Sequence, residues 1–107
     1  MDNDRLILFI KKLIEKTKRG KLAWRKEIYQ NKNADYICEF FNGNIVKIRC
    51  AFLTGLLTVS ITYTEESTED FPIYSDDEAY ASLLRLYNII YNLFPNPEKA
   101  IDDFINS

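Results

Sequence analysis

The sequence predicts an α+β two-layer sandwich in one domain spanning residues 1–107. Its expected order is an N-terminal helix, a three- to four-stranded antiparallel meander, a long C-terminal helix and a short terminal helix, with the helices over one sheet face. Three observations carry this. Apolar residues recur at helical spacing near both ends of the chain. They alternate strictly with polar ones between Leu57 and Thr64, as a half-buried strand requires. Asn42-Gly43-Asn44 marks a hairpin turn between two apolar runs. A chain of 107 residues buries about two-thirds of its unfolded surface, enough for one core and not for two.

In the first helix Leu6, Phe9, Ile10, Leu13, Ile14 and Thr17 share one face, and Lys11, Lys12, Glu15, Lys16 and Arg19 fall opposite or on its flanks. Asp2 or Asn3 can cap its start, and Asp4 meets the positive end of its dipole. Cations crowd its last turn, and Gly20 can take the left-handed position that ends it. Ile7 and Leu8 widen the apolar arc. Lys21 to Asn33 reads as a short strand or an extended arm anchored by Trp24, with Gln30 to Asn33 as a polar turn.

Strand candidates Asp35–Phe41 and Ile45–Phe52 form the hairpin. With all of Asn42–Asn44 in the loop, Phe40 faces Val46, Cys38 faces Ile48 and Tyr36 faces Cys50, and Glu39 opposes Lys47 on the other face. A two-residue Asn42-Gly43 loop mixes the faces, so the three-residue loop is preferred. Thr54-Gly55 turns the chain into the Leu57–Thr64 strand. Glu65 to Asp70 reads as an acidic loop, and Phe71 to Tyr74 as a brief edge strand, since Pro72 cannot donate to a ladder. Ser75-Asp76-Asp77-Glu78 matches a capping box for a helix reaching about Phe94. That helix carries Tyr80, Leu83, Leu84, Tyr87, Ile90, Tyr91 and Phe94 on one stripe, and Leu86, Ile89 and Leu93 on a second row. Pro95 stops it. Asn96 and Pro97 open a final helix in which Ile101, Phe104 and Ile105 are expected to tie down the terminus.

Absences narrow the chemistry. The chain has no histidine, which removes the commonest general base, the commonest metal ligand and every Ser-His or Cys-His nucleophile. Cys38 and Cys50 are too few for a zinc site of Cys and His alone. They either pair or stay buried as apolar thiols, and the second fits a reducing compartment. Three scattered glycines form no phosphate-binding loop. Carboxylate chemistry would need two acids facing one cleft, which no spacing here requires. No catalytic residue, metal site, cofactor or small-molecule ligand is therefore expected. The N-terminus lacks a secretory pattern and no apolar run approaches the ~20 residues of a membrane span, so the expected compartment is the cytoplasm, with no membrane partner.

The net charge of −2 hides a split. Residues 1–33 hold ten basic and four acidic side chains (+6), and residues 34–107 hold four basic and twelve acidic ones (−8). The acidic Glu65, Glu66, Glu69, Asp70, Asp76, Asp77 and Glu78 could gather around a divalent cation, but no D-x-D-x-D-G loop is present, and a solvated loop with a helix cap explains them as well. The basic Lys16, Lys18, Arg19, Lys21, Arg25 and Lys26, with Trp24 among them, could grip phosphates while the indole stacks on a base. Helix C-terminal cations beside a core tryptophan are the plainer account. Abundant isoleucine, asparagine and lysine suit an AT-rich coding sequence of a bacterium or phage.

The helix running into Thr17-Lys18-Arg19-Gly20-Lys21-Leu22-Ala23-Trp24, a T-x-x-G-K-x-x-W pattern, resembles the opening of short bacterial and phage proteins with a small antiparallel sheet and an acidic C-terminal helix. The resemblance implies no activity and assigns no site residue.

The second helix carries more apolar surface than a small sheet needs, and surplus of this kind meets a partner. The expected function is a non-catalytic protein-interaction protein that self-associates or docks another protein, of the immunity, antitoxin or phage-factor kind. Its interface would be built from Tyr80, Leu86, Tyr87, Ile89, Tyr91 and Leu93, with the tyrosine hydroxyls at a wet margin. The alternative is a nucleic-acid-binding regulator using Lys16–Lys26.

Overall fold

A computed structural model describes residues 2–29, 33–51, 54–65 and 67–107. The elements are α1 (Asn3–Lys18), β1 (Arg25–Tyr29), β2 (Asn33–Phe41), β3 (Asn44–Cys50), β4 (Leu57–Thr64), β5 (Ser67–Ile73), α2 (Ala79–Tyr91) and α3 (Pro97–Ile105). The five strands form one antiparallel meander in sequence order. Among the described residues no helix is long and apolar enough to cross a membrane. The expected polar turn falls at Gln30, Asn31 and Lys32, outside the described residues, as do Phe52 and Glu66.

The α+β class holds, with two more strands than the minimum expected. The segment after α1 is a true strand, β1, paired along its whole length with β2. The acidic stretch is not a loop: Ser67 to Asp70 opens β5, where Ser60 Oγ donates to Asp70 Oδ1 at 2.6 Å and the Thr62 and Thr68 hydroxyls bond at 2.8 Å. Its acids stand beside the polar residues of β4, so the strand buries little while keeping its backbone bonds. Pro72 lies on this edge strand, opposite Thr58.

At the hairpin the loop is the two-residue Asn42-Gly43, with φ of +48° and +80°, the left-handed pair of a type I′ turn. The Gly43 amide donates to Glu39 Oε1 at 2.9 Å. A bulge between Glu39 and Phe41 supplies the missing residue, so Cys38 opposes Val46 and Tyr36 opposes Ile48. The expected partners were one pair out, and Glu39 faces Ile45 rather than Lys47. The faces stay unmixed because the bulge absorbs the odd residue.

Rows of apolar side chains therefore cross the sheet. Tyr36, Ile48, Val59 and Phe71 stand in one row, and Cys50, Leu57 and Ile73 in the next. They meet Leu6, Ile10, Leu13 and Ile14 of α1 and Leu83, Leu86 and Ile90 of α2 in a single buried cluster. Both helices thus cover one face. The other face bears Arg25, Glu27, Asp35, Lys47, Arg49 and Thr58, a mixed-charge ladder.

Helix ends follow local chemistry. Asp2 caps α1 by accepting from the Arg5 amide at 2.8 Å. At the other end the Gly20 and Lys21 amides close on the Thr17 and Lys16 carbonyls, with Gly20 at φ +69°, a Schellman stop. The capping box before α2 does not form. The Asp77 carboxylate accepts from the Tyr74 amide at 2.8 Å instead, making a turn off β5 that delays the helix to Ala79. Its other end is Tyr91, not Phe94. Pro95 disfavours helical backbone at Phe94, and the Asn96 side chain donates to the Tyr91 and Phe94 carbonyls at 3.3 and 3.0 Å.

Candidate docking surface

Asn96 fixes where the last helix goes. Its amide group holds the end of α2, while its side-chain oxygen accepts from the Lys99 amide at 2.9 Å and caps α3. The residue is buried, so this joint is well defined. Pro97 sits in the first turn, where its missing N–H costs nothing.

Helix α3 itself is not the anchor its apolar residues predict. No residue of it is buried. Ile101, Phe104 and Ile105 are 57%, 79% and 70% exposed. Pro97, Ala100, Ile101, Phe104 and Ile105 share one stripe at about 100° per residue. Glu98 and Asp102 flank it on one side, Asp103 on the other, and Lys99 stands opposite. A large apolar side chain left in water forgoes about 1.5–3 kcal/mol of burial, so three on one short helix form a patch rather than scatter.

A second apolar surface lies where the C-terminal half of α1 meets the β2–β3 hairpin. Phe9, Leu13, Leu22, Phe40 and Phe41 line a cleft of about 230 Å³, and Lys12 and Lys16 stand among them. The Phe9 and Phe40 rings meet edge to face with centroids 5.0 Å apart. Phe41 is exposed, and Lys12 also reaches Glu15 at 3.7 Å.

The six residues expected at an interface lie mostly elsewhere. Leu86 is fully buried, because α2 packs against α1 and this side chain enters the shared core. Ile89 is half-buried against the same cluster. Tyr80 is half-buried and donates to the Gly55 carbonyl at 3.1 Å. Tyr87 and Tyr91 stack with centroids 6.2 Å apart, and Tyr87 meets Tyr36 edge to face at 5.6 Å. Burial, and then the neighbouring Tyr36, push the Tyr87 hydroxyl up to about 12. Leu93 alone of the six is exposed, two residues beyond α2 and three residues before the α3 cap.

The basic segment is not one patch either. Trp24 is half-buried, and its indole N–H donates to Thr17 Oγ1 at 2.9 Å, which ties the arm to α1. Arg19 reaches Glu15 at 3.4 Å and Arg25 reaches Glu27 at 3.5 Å. Arg25 and Lys26 are consecutive on β1 and point to opposite sheet faces. Lys16 turns to the α1 cleft, while Lys18 and Lys21 are exposed.

Cys38 and Cys50 are free thiols, opposite Val46 and Leu57 respectively, and burial raises both above the ordinary thiol value. Among the described residues no three His, Cys, Asp or Glu side chains gather where a metal could sit. No protein-family model, curated protein or solved structure matches the chain.

The outward direction of the α3 patch escapes sequence reasoning although its spacing is plain. A stripe shows which face of a helix is apolar, not whether that face turns to its own core or to another molecule.

Proposed function

We propose that this chain is a small, non-catalytic cytoplasmic protein-interaction protein that docks a second copy of itself or another protein, and that its docking element is α3. The observation that carries the reading is the unpartnered Ile101, Phe104 and Ile105 stripe on a well-capped helix. The shape supports it. The radius of gyration is 14.3 Å, above the about 13 Å of a compact chain of this length. A size and chemistry of this kind suit an immunity, antitoxin or phage factor, which acts by occupying a partner's surface rather than by turnover.

The test compares the wild-type chain with Phe104→Asp in sedimentation velocity and in affinity capture from a lysate. The reading expects the wild type to associate with itself or to hold a discrete protein in stoichiometric amount, and the variant to do neither. Two proteins that both sediment as monomers and capture nothing contradict it.

A further inference from the structure

The two apolar surfaces complement each other in shape and charge. The α1–hairpin cleft is apolar with cations at its rim, Lys12 and Lys16. The α3 stripe is apolar with acids at its rim, Glu98, Asp102 and Asp103. We propose that α3 of one copy seats on the α1–hairpin cleft of a second copy of this chain, with Phe104 entering the cleft and the flanking carboxylates meeting Lys12 and Lys16. This names a second copy as the partner of the α3 docking element, and it rests on the reading of the chain as a protein-interaction protein.

Size, charge and connectivity favour this occupant. An apolar space of about 150 Å³ accepts a benzene ring, and the cleft offers about 230 Å³, room for the Phe104 ring. Residues 1–33 carry +6 and residues 34–107 carry −8, so a contact between the last helix of one copy and the first of another joins opposite signs. Folding α3 onto its own cleft would disturb the Asn96 joint, whose side chain is committed to Tyr91, Phe94 and Lys99 at once. The contact joins different patches, so two copies making it reciprocally form a closed pair with two equivalent contacts.

The experiment uses the full chain in three forms: wild type, the double variant Lys12→Glu with Lys16→Glu, and the double variant Asp102→Lys with Asp103→Lys. Sedimentation velocity over a concentration series reads association, and Trp24 fluorescence checks the fold. The wild type is expected to associate, more weakly at high salt. Each variant alone should lose at least about tenfold in affinity, and an equimolar mixture of the two should recover association. Phe41→Ser, at an exposed edge of the cleft, should weaken association without charge reversal.

A mixture that fails to recover overturns the proposal. So does a Lys12 and Lys16 variant that associates like the wild type. If Phe104→Asp then abolishes association, α3 remains the docking element and only the cleft assignment falls. A wild type that stays monomeric at every concentration also overturns it, and α3 amides protected from exchange in that monomer would show docking onto its own cleft.

Discussion

Arg49 grips Asp35 across β2 and β3 through two hydrogen bonds, Nε to Oδ1 at 2.7 Å and an amino nitrogen to Oδ2 at 2.8 Å. The two residues are direct cross-strand partners on the face that no helix covers. The pair is lopsided: the Asp35 side chain is 7% exposed and that of Arg49 is 43% exposed. A one-residue slip of the strands would send the two to opposite faces, so the pair also locks the register.

That asymmetry makes the first prediction. Arg49→Met strands a buried carboxylate and should cost about 2–3 kcal/mol. Asp35→Asn leaves a guanidinium that still reaches water and should cost about 1 kcal/mol, discounted because the cation is half-exposed. Urea unfolding followed by Trp24 fluorescence measures both. Equal costs would show that the carboxylate finds water or another donor.

The second prediction concerns alkaline pH. Tyr87 in the fold ionises at about 12, against about 10 for an unfolded phenol. The raised value means the fold favours the neutral form. Its contribution is whole below pH 10 and fades between pH 10 and 12, as the unfolded chain ionises first. Tyr36 shifts in the same direction, by burial. Stability should therefore fall across that window, and Tyr87→Phe should flatten the fall. A Tyr87→Phe curve parallel to the wild type would contradict the burial.

The thiols give a third. Cys38 is buried and Cys50 half-buried, on neighbouring strands but not opposite each other. Neither should react quickly with a thiol reagent at pH 8 in the native state, and Cys50 should react faster than Cys38. Both should react at once in denaturant. Rapid native labelling of Cys38 would mean that the β2–β3 face opens.

The hairpin gives a fourth. Gly43 holds φ at +80° with no neighbouring atom in the way of an added methyl, so the penalty of Gly43→Ala is backbone strain alone. It should cost about 1 kcal/mol, read by thermal unfolding. A neutral substitution would mean that the turn changes type.

Legibility in the sequence tracks the range of the interactions involved. The α1 caps, the Leu57–Thr64 alternation, the Asn96 cap and the edge position of Pro72 each rest on residues within a few positions, and each is readable. The hairpin partners are displaced from expectation because a bulge at Phe40 leaves no compositional mark. Helix α2 is shorter than its pattern suggests, and of its large apolar side chains only Leu84 is exposed. Whether Leu86 is surplus depends on α1 lying alongside, a contact between segments some seventy residues apart. For α3 the stripe is legible and its direction is not, since Ile101, Phe104 and Ile105 look the same facing inward or outward. The Phe9–Phe41 cleft joins three separated segments, and no local pattern announces it.

Amide hydrogen exchange of residues 98–105 at rising protein concentration tests the central claim most directly, because it reads the docking helix itself. Protection of these amides should grow with concentration in the wild type and stay flat in Phe104→Asp. Exchange in α3 that is equally fast at every concentration, in both proteins, would show a helix that docks on no second copy.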